Sequence, residues 1–227
     1  MASIIETFAY ARAGLIGNPS DGYYGKTISI SVRNFRARVL CYPAANLEIR
    51  GSAIDQPVWR SIDELREGVK KYGYYGGIRL IRAIIKRFAD YCDEKGIRLP
   101  KRNCALEYES DIPGRVGLAG SSAIITATLR ALMQFYEVEI PKEIQPNIIL
   151  QSERDELGIG AGLQDRVIQV YENMVYMDFD RELLQTRGYG HYEPMDPALL
   201  PNLYIAYDTR LSEGSEVFHN NIRERFD

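Results

Sequence analysis

Gly114-Arg115-Val116-Gly117-Leu118-Ala119-Gly120-Ser121-Ser122-Ala123 is the stretch on which the reading of this chain turns. Ahead of it, Asn103–Ser110 alternates Cys104, Leu106 and Tyr108 against Glu107 and Glu109, the period of a half-buried strand; behind it runs a long helical pattern. The order is strand, glycine-rich loop, helix. Glycines let the backbone aim its N–H groups at one point, and the first turn of the helix adds unpaired donors and the positive end of its dipole. Phosphate fits such a place. A tight turn with Ser121 or Ser122 as an ordinary N-cap accounts for the same residues. The loop lacks the Lys of G-x-x-x-x-G-K-[ST].

Outward toward the N-terminus, Ile78, Ile81, Ile85, Phe88 and Cys92 recur at three and four residues, which predicts an amphipathic helix ending near Gly96. Ser61–Val69 reads as another helix, with Ser61 as N-cap and Glu64 three residues on. Lys26–Val32 and Phe35–Tyr42 read as an antiparallel hairpin or meander, and Leu47–Arg50 as a short strand. Toward the C-terminus a helix is predicted over 144–157, with Pro146 in its first turn, and another after Gly158, Gly160 and Gly162. Met174–Phe179 and Leu203–Tyr207 read as strands, with a last helix near Phe218–Phe226.

The chain has 227 residues, 45% of them hydrophobic, enough for one large or two small domains with a buried core. Its 28 Lys and Arg against 31 Asp and Glu leave a net charge of −3, so bulk charge favours neither nucleic acid nor an anionic membrane. Any anion must be met by a local site. Cys41, Cys92 and Cys104 are odd in number and lack C-x-x-C spacing, which suits a reducing compartment and argues against structural zinc. Two histidines, His191 and His219, are too few for a multi-histidine metal centre, and they make a Ser-His-Asp hydrolase improbable. No run of about 18 apolar residues occurs, and the N-terminus has no basic-then-apolar leader. A cytoplasmic chain is expected.

Two further stretches carry chemistry. In Ser152–Arg166, Glu153 closes one predicted helix and Asp165 opens the next, with a glycine-rich connection able to fold both carboxylates toward one cavity. Phosphoryl transfer uses such a pair, one to hold Mg²⁺ and one to orient or deprotonate the attacking hydroxyl. A solvated acidic helix end and a capping Asp is the plainer reading of the same residues. In Ala11–Gly22 a strand-like run breaks into a polar turn, where Asn18, Ser20 and Asp21 suit either sugar hydroxyls or an Asx or Ser turn. Tyr72, Tyr74, Tyr75 and Trp59 are candidates for stacking on a base or sugar, or for ordinary packing.

Taken in order, these stretches resemble the GHMP small-molecule kinases, the family of galactokinase, homoserine kinase, mevalonate kinase and phosphomevalonate kinase. Arg12 through Asp21 resembles the family's first motif, Val116–Ala123 its phosphate loop, and Glu153 with Gly162-Leu163-Gln164-Asp165 its acidic segment. Gly17-Asn18-Pro19-Ser20-Asp21, Gly73–Leu80 and Ala161–Val167 draw the likeness toward the members that act on uronic acids. The resemblance implies an α+β fold: a GHMP kinase N-terminal domain, ribosomal protein S5 domain 2-like, over 1–180, then the start of a ferredoxin-like C-terminal domain over 181–227. It implies ATP or another nucleoside triphosphate at Gly117, Leu118, Ala119, Gly120, Ser121, Ser122 and Ala123, with Mg²⁺ on Ser122 and Glu153. Asp165 is then the base or orienting residue, Arg12 the basic group near the transferred phosphate, and Asn18, Ser20 and Asp21 the sugar contacts.

The activity implied is a sugar-1-kinase acting on the anomeric hydroxyl of a uronic acid, D-glucuronate first. The alternatives are galacturonate, arabinose, a heptose phosphate or a mevalonate-like alcohol, or a non-catalytic nucleotide- or sugar-binding module. A sugar acid needs a cationic partner, for which Arg12, Arg115 and Arg166 are available. The expected partners are that sugar acid and a nucleotide, with no nucleic acid and no membrane, in a monomer or homodimer. Leu203–Asp227 resembles only the beginning of the family's second domain, so a fragment of a longer protein is expected.

Overall fold

The spine of the fold is one 19-residue strand, β2 (Lys26–Ala44), against which β1 (Ile5–Ile16) runs antiparallel. In this computed structural model, which describes residues 4–51, 55, 61–62 and 76–208, the opposite edge of β2 is shared. Its first residues pair with β5 (Met174–Asp178) and its last with β4 (Asn103–Ser110), both antiparallel. β3 (Glu48–Arg50) lies parallel to β4, and β6 (His191–Met195) antiparallel to β5, giving the order β3-β4-β2-β5-β6 with β1 beside β2.

The hairpin or meander expected over 26–42 is therefore a single strand. Tyr10 stands opposite Arg36 and Ala11 opposite Val32, so Arg33, Asn34 and Phe35 bulge out with no counterpart on β1. That bulge breaks the alternation of side chains without turning the chain back. The strand expected at 203–207 is also absent; 201–208 has no regular structure, and Tyr204 is 94% exposed. Its alternation has no neighbouring strand to pair with among the described residues. Most of the 61–69 helix, Trp59, Tyr72, Tyr74, Tyr75 and the 218–226 helix lie outside the described residues.

Helices cover the sheet. α1 (Gly77–Glu94) turns Leu80, Ile81, Ile84, Phe88 and Cys92 inward; of the positions its spacing singled out, Ile81, Phe88 and Cys92 are buried, whereas Ile78 and Ile85 are only partly so, because the buried face is centred nearer Leu80 and Ile84. Each such large apolar side chain contributes roughly 1.5–3 kcal/mol on full burial. α2 (Gly120–Tyr136) packs on β1 and β2 and is buried almost all round from Ser122 to Leu129. Its hydroxyls are satisfied locally: Thr126 Oγ1 donates to the Ser122 carbonyl at 2.7 Å and Thr128 Oγ1 to that of Ile124 at 2.8 Å. α3 (Gln145–Arg154), with Pro146 in its first turn, packs on α1, and α4 (Gln164–Tyr171) packs on α2, α3 and β1. After β5, Asp180 caps α5 (Arg181–Arg187) by accepting from the amides of Glu182 and Leu183 at 2.9 and 3.2 Å. α5 and β6 were not expected from sequence. The three cysteines are buried and unpaired. No described helix is long and apolar enough to cross a membrane.

Candidate active site

β4 leads through the glycine loop into α2 as the sequence predicts, and the loop conformation explains why. Positive φ recurs at every second residue, Arg115 (62°), Gly117 (77°) and Ala119 (60°), with negative φ between them. Alternation of this kind curls successive N–H groups around one concave point. Neither serine caps α2: the N-cap position is Ala119, with no side-chain bond. The amides of the first turn, Gly120, Ser121 and Ser122, thus have no partner within the helix and remain as anion donors. The loop is fixed to the sheet by the Arg12 amide, which donates to the Leu118 carbonyl at 3.2 Å. It is fixed to α4 by Gln169, whose Nε2 donates to the Ala119 carbonyl at 2.8 Å.

The acidic residues converge beside it. Glu153, in the last turn of α3, is fully buried; Ser121 Oγ donates to its Oε1 at 2.8 Å, and Arg166 Nε donates to its Oε2 at 2.7 Å. A second arm of the same guanidinium, Nη2, also reaches Oε2. Arg166 Nη1 donates to the Gly162 carbonyl at 3.0 Å and to Asp165 Oδ2 at 3.1 Å. Asp165 Oδ1 accepts from Arg12 Nε, so the catalytic candidates Arg12 and Asp165 are ion-paired although they come from β1 and α4. A continuous path, Ser121–Glu153–Arg166–Asp165–Arg12, thus joins the phosphate loop to the start of α4. Burial works against charge on Arg166, yet Glu153 and Asp165 more than offset it and raise its pKa.

Asp21 joins the group from the 3₁₀ turn Ser20–Tyr23, its Oδ2 accepting from the Gln164 amide at 3.0 Å. It lies so close over Gly162 that a Cβ there would collide with its carboxylate. Ser20 is taken up by its turn, donating from Oγ to the Lys26 carbonyl at 3.0 Å. Asn18 is exposed and packs near Gly14. The plainer readings of Glu153 as a solvated helix end and Asp165 as a cap do not hold: one is buried and the other pairs across the fold.

For a divalent cation, the oxygen donors are of the right kind for Mg²⁺, which prefers one or two carboxylates completed by phosphate and water oxygens. Among the described residues no three His, Cys, Asp or Glu side chains are placed to hold one metal ion, so such an ion would rely on that completion. The hydroxyl beside Glu153 is that of Ser121. Ser122, expected as the metal-side serine, is buried with its Oγ donating to the Ala119 carbonyl at 3.2 Å. The residues that fit the ion are therefore Glu153, through Oε1, and Ser121.

Sequence reasoning left Arg166 only as a candidate partner for a substrate carboxylate and passed over Gln164 and Gln169. Gln164 is buried under the site, donating from Nε2 to Ser29 Oγ at 2.7 Å. Gln164 and Gln169 lie on the buried side of their short helix, and their long polar side chains among Val167, Ile168 and Val170 were the available signal.

Residues 79–173 match the family model for the GHMP kinases N terminal domain. Over 225 residues the chain is 45% identical to glucuronokinase 1 of Arabidopsis thaliana, covering 98% of this chain and 62% of that protein. It is 44% identical to probable glucuronokinase 2 of the same plant, with the same coverage. The chain thus spans 62% of the length of both curated relatives. Among solved structures, the D-glycero-D-manno-heptose 1-phosphate kinase from Bacteriodes thetaiotaomicron superposes with a TM-score of 0.64 at 19% identity, over 86% of this chain and 60% of that one. Residues 79–173, from α1 through the glycine loop to α4, are thus similar to the GHMP kinases N terminal domain, and the fold built here around β2 and α2 is shared with that heptose kinase structure.

Proposed function

We propose that this chain carries the nucleotide- and acceptor-binding part of an ATP-dependent sugar kinase that phosphorylates the anomeric hydroxyl of a uronic acid, D-glucuronate first. The observation that carries the reading is the convergence of Glu153, Asp165 and two guanidiniums on the flank of an amide-lined loop. The 45% identity to a protein named glucuronokinase supports the choice of sugar.

In this reading the amides at the start of α2 hold the nucleotide phosphates, and Glu153 with Ser121 holds the cation. Mg²⁺, when bound, neutralises charge on the phosphates. Asp165 receives a charge-assisted bond on each oxygen, from Arg12 and from Arg166, which fixes its carboxylate for orienting the acceptor hydroxyl. Arg12 lies beside both Asp165 and the loop, where charge develops during transfer. Asp21 is the sugar-side acceptor. The donors of Arg166 are committed within the protein, so the carboxylate of the sugar falls to Arg12 or the exposed Arg115.

The test is ADP release from Mg·ATP by the protein produced from the full reading frame, with D-glucuronate, D-galacturonate, L-arabinose, galactose, a heptose phosphate and mevalonate as acceptors. Turnover highest with D-glucuronate, and a product phosphorus resonance coupled to the anomeric proton, is the expected result. Preference for a non-acidic acceptor, or tight ligand binding without turnover, overturns it.

A further inference from the structure

We propose that Arg166 is a positioning residue that holds Glu153 and Asp165 in one fixed relation, so that the cation-binding and acceptor-orienting carboxylates act as a unit. The inference rests on the kinase reading above for the roles of the two acids, and on geometry for their coupling.

Arg166 is a buried arginine on the first turn of α4, its side chain 5% exposed. Its planar fork reaches the end of α3 through Nε and Nη2, its own helix neighbour Asp165 through Nη1, and the glycine connection through the Gly162 carbonyl. Those three anchors are the parts of the site whose relative placement the glycine-rich segment 158–162 would otherwise leave open. The fork also divides the work of the Glu153 carboxylate. Oε2 is saturated by two guanidinium donors, whereas Oε1, among the described residues, accepts the Ser121 hydroxyl alone and keeps acceptor capacity toward the glycine loop. A buried carboxylate with no cation beside it is strongly disfavoured, and Arg166 is the cation beside Glu153. The other groups facing it are Asp21, which adds attraction, and Arg12 beyond Asp165.

Lysine would not replace it. A single ammonium on a flexible stem can meet one carboxylate or the other but has no fork to bridge them.

The test compares R166M, R166Q and R166K with the parent protein from the full reading frame, using Mn²⁺ as the probe ion. Electron paramagnetic resonance of free Mn²⁺ reports cation binding to the ATP-loaded protein, and ADP release reports turnover. R166M should weaken Mn²⁺ binding by about tenfold or more, the scale for partners that orient metal-holding groups. It should lower kcat by about a hundredfold, with the sugar KM changed much less. R166K should recover part of the Mn²⁺ affinity but under a tenth of the turnover. Where R166M fails to fold in a thermal melt, R166Q, which keeps an amide donor without charge, is judged by the same thresholds. Variants that melt at lower temperature yet bind Mn²⁺ and turn over within threefold of the parent overturn the proposal, because a purely structural role predicts that pattern. A parent protein that turns over no acceptor sinks the kinase reading instead, and the Mn²⁺ comparison still decides the role of Arg166.

Discussion

Arg12 and Asp165 are 153 positions apart in sequence and ion-paired in the fold. The pair spans from β1 to the first turn of α4, and it sets the carboxylate beside the point where β1 is bonded to the glycine loop.

Replacing Asp165 with Asn keeps the shape and removes the charge. Turnover should fall at least about a hundredfold, the usual scale for a positioned acid-base group. Nucleotide affinity measured by calorimetry should stay near that of the parent, since the loop amides are untouched. Near-normal turnover would remove Asp165 from the mechanism.

Gly117 sits at φ 77° with nothing within 4 Å of where a Cβ would stand, so Gly117→Ala strains the backbone without a steric clash. The left-handed conformation costs an L-residue about 1–2 kcal/mol. Chemical denaturation should show a loss of that size. Calorimetry should show weaker ATP binding with sugar binding retained, because the strain falls on the loop alone.

Gly162→Ala acts on the other side. The added methyl collides with the Asp21 carboxylate and drives it off the Gln164 amide. The sugar KM should rise about tenfold, equivalent to the loss of one hydrogen bond of about 1.4 kcal/mol. ATP affinity should change little. An unchanged sugar KM would take Asp21 out of the acceptor site.

Glu153→Gln leaves a buried guanidinium facing a neutral amide. Breaking a buried pair from one side costs about 3–5 kcal/mol, and here the side chains are 5% and 0% exposed, so solvent screens little of it. Urea denaturation should show a loss in that range, separate from any effect on activity.

Tyr192 packs edge-on against Tyr171 and accepts from the Gly190 amide at 3.1 Å; burial pushes its pKa from 10.0 up to about 12. A phenol that ionises later in the folded chain than in the unfolded one binds more protons when folded, so stability falls as pH rises. The contribution is fully present below about pH 10 and is lost between there and about pH 12, on the order of 2–3 kcal/mol. Melts of Tyr192→Phe should flatten with pH across that window relative to the parent; identical slopes would contradict the assignment.

Local pattern carried most of the elements. β4 was predicted at 103–110 and lies there, and α1 differs from its expected ends by one or two residues. Both have one wet face, which writes a period into the sequence. β2 was misread because its bulge at 33–35 interrupts that period while hydrogen bonding on either side continues. β6 was missed because an exposed edge strand with Pro194 and alternating polar residues has little apolar face to show. In the site, residue types and spacing singled out Glu153, Asp165 and the glycine loop, since each belongs to a short motif. Which group each one touches depends on contacts far apart in sequence. That is why the partner of Glu153 at the loop emerged as Ser121 rather than Ser122, and why Arg166 gained its place only with the fold.

Eight residues of α4 touch both halves of the candidate site. Asp165 pairs with Arg12 from the first turn, and Gln169, one turn later, clasps the Ala119 carbonyl in the glycine loop. In the proposed kinase, donor and acceptor seats would therefore be mounted on a common lever. A tilt of that helix, whatever provokes it, shifts the two together, and substitutions on its buried face at Val167 or Ile168 can retune catalysis from outside the pocket.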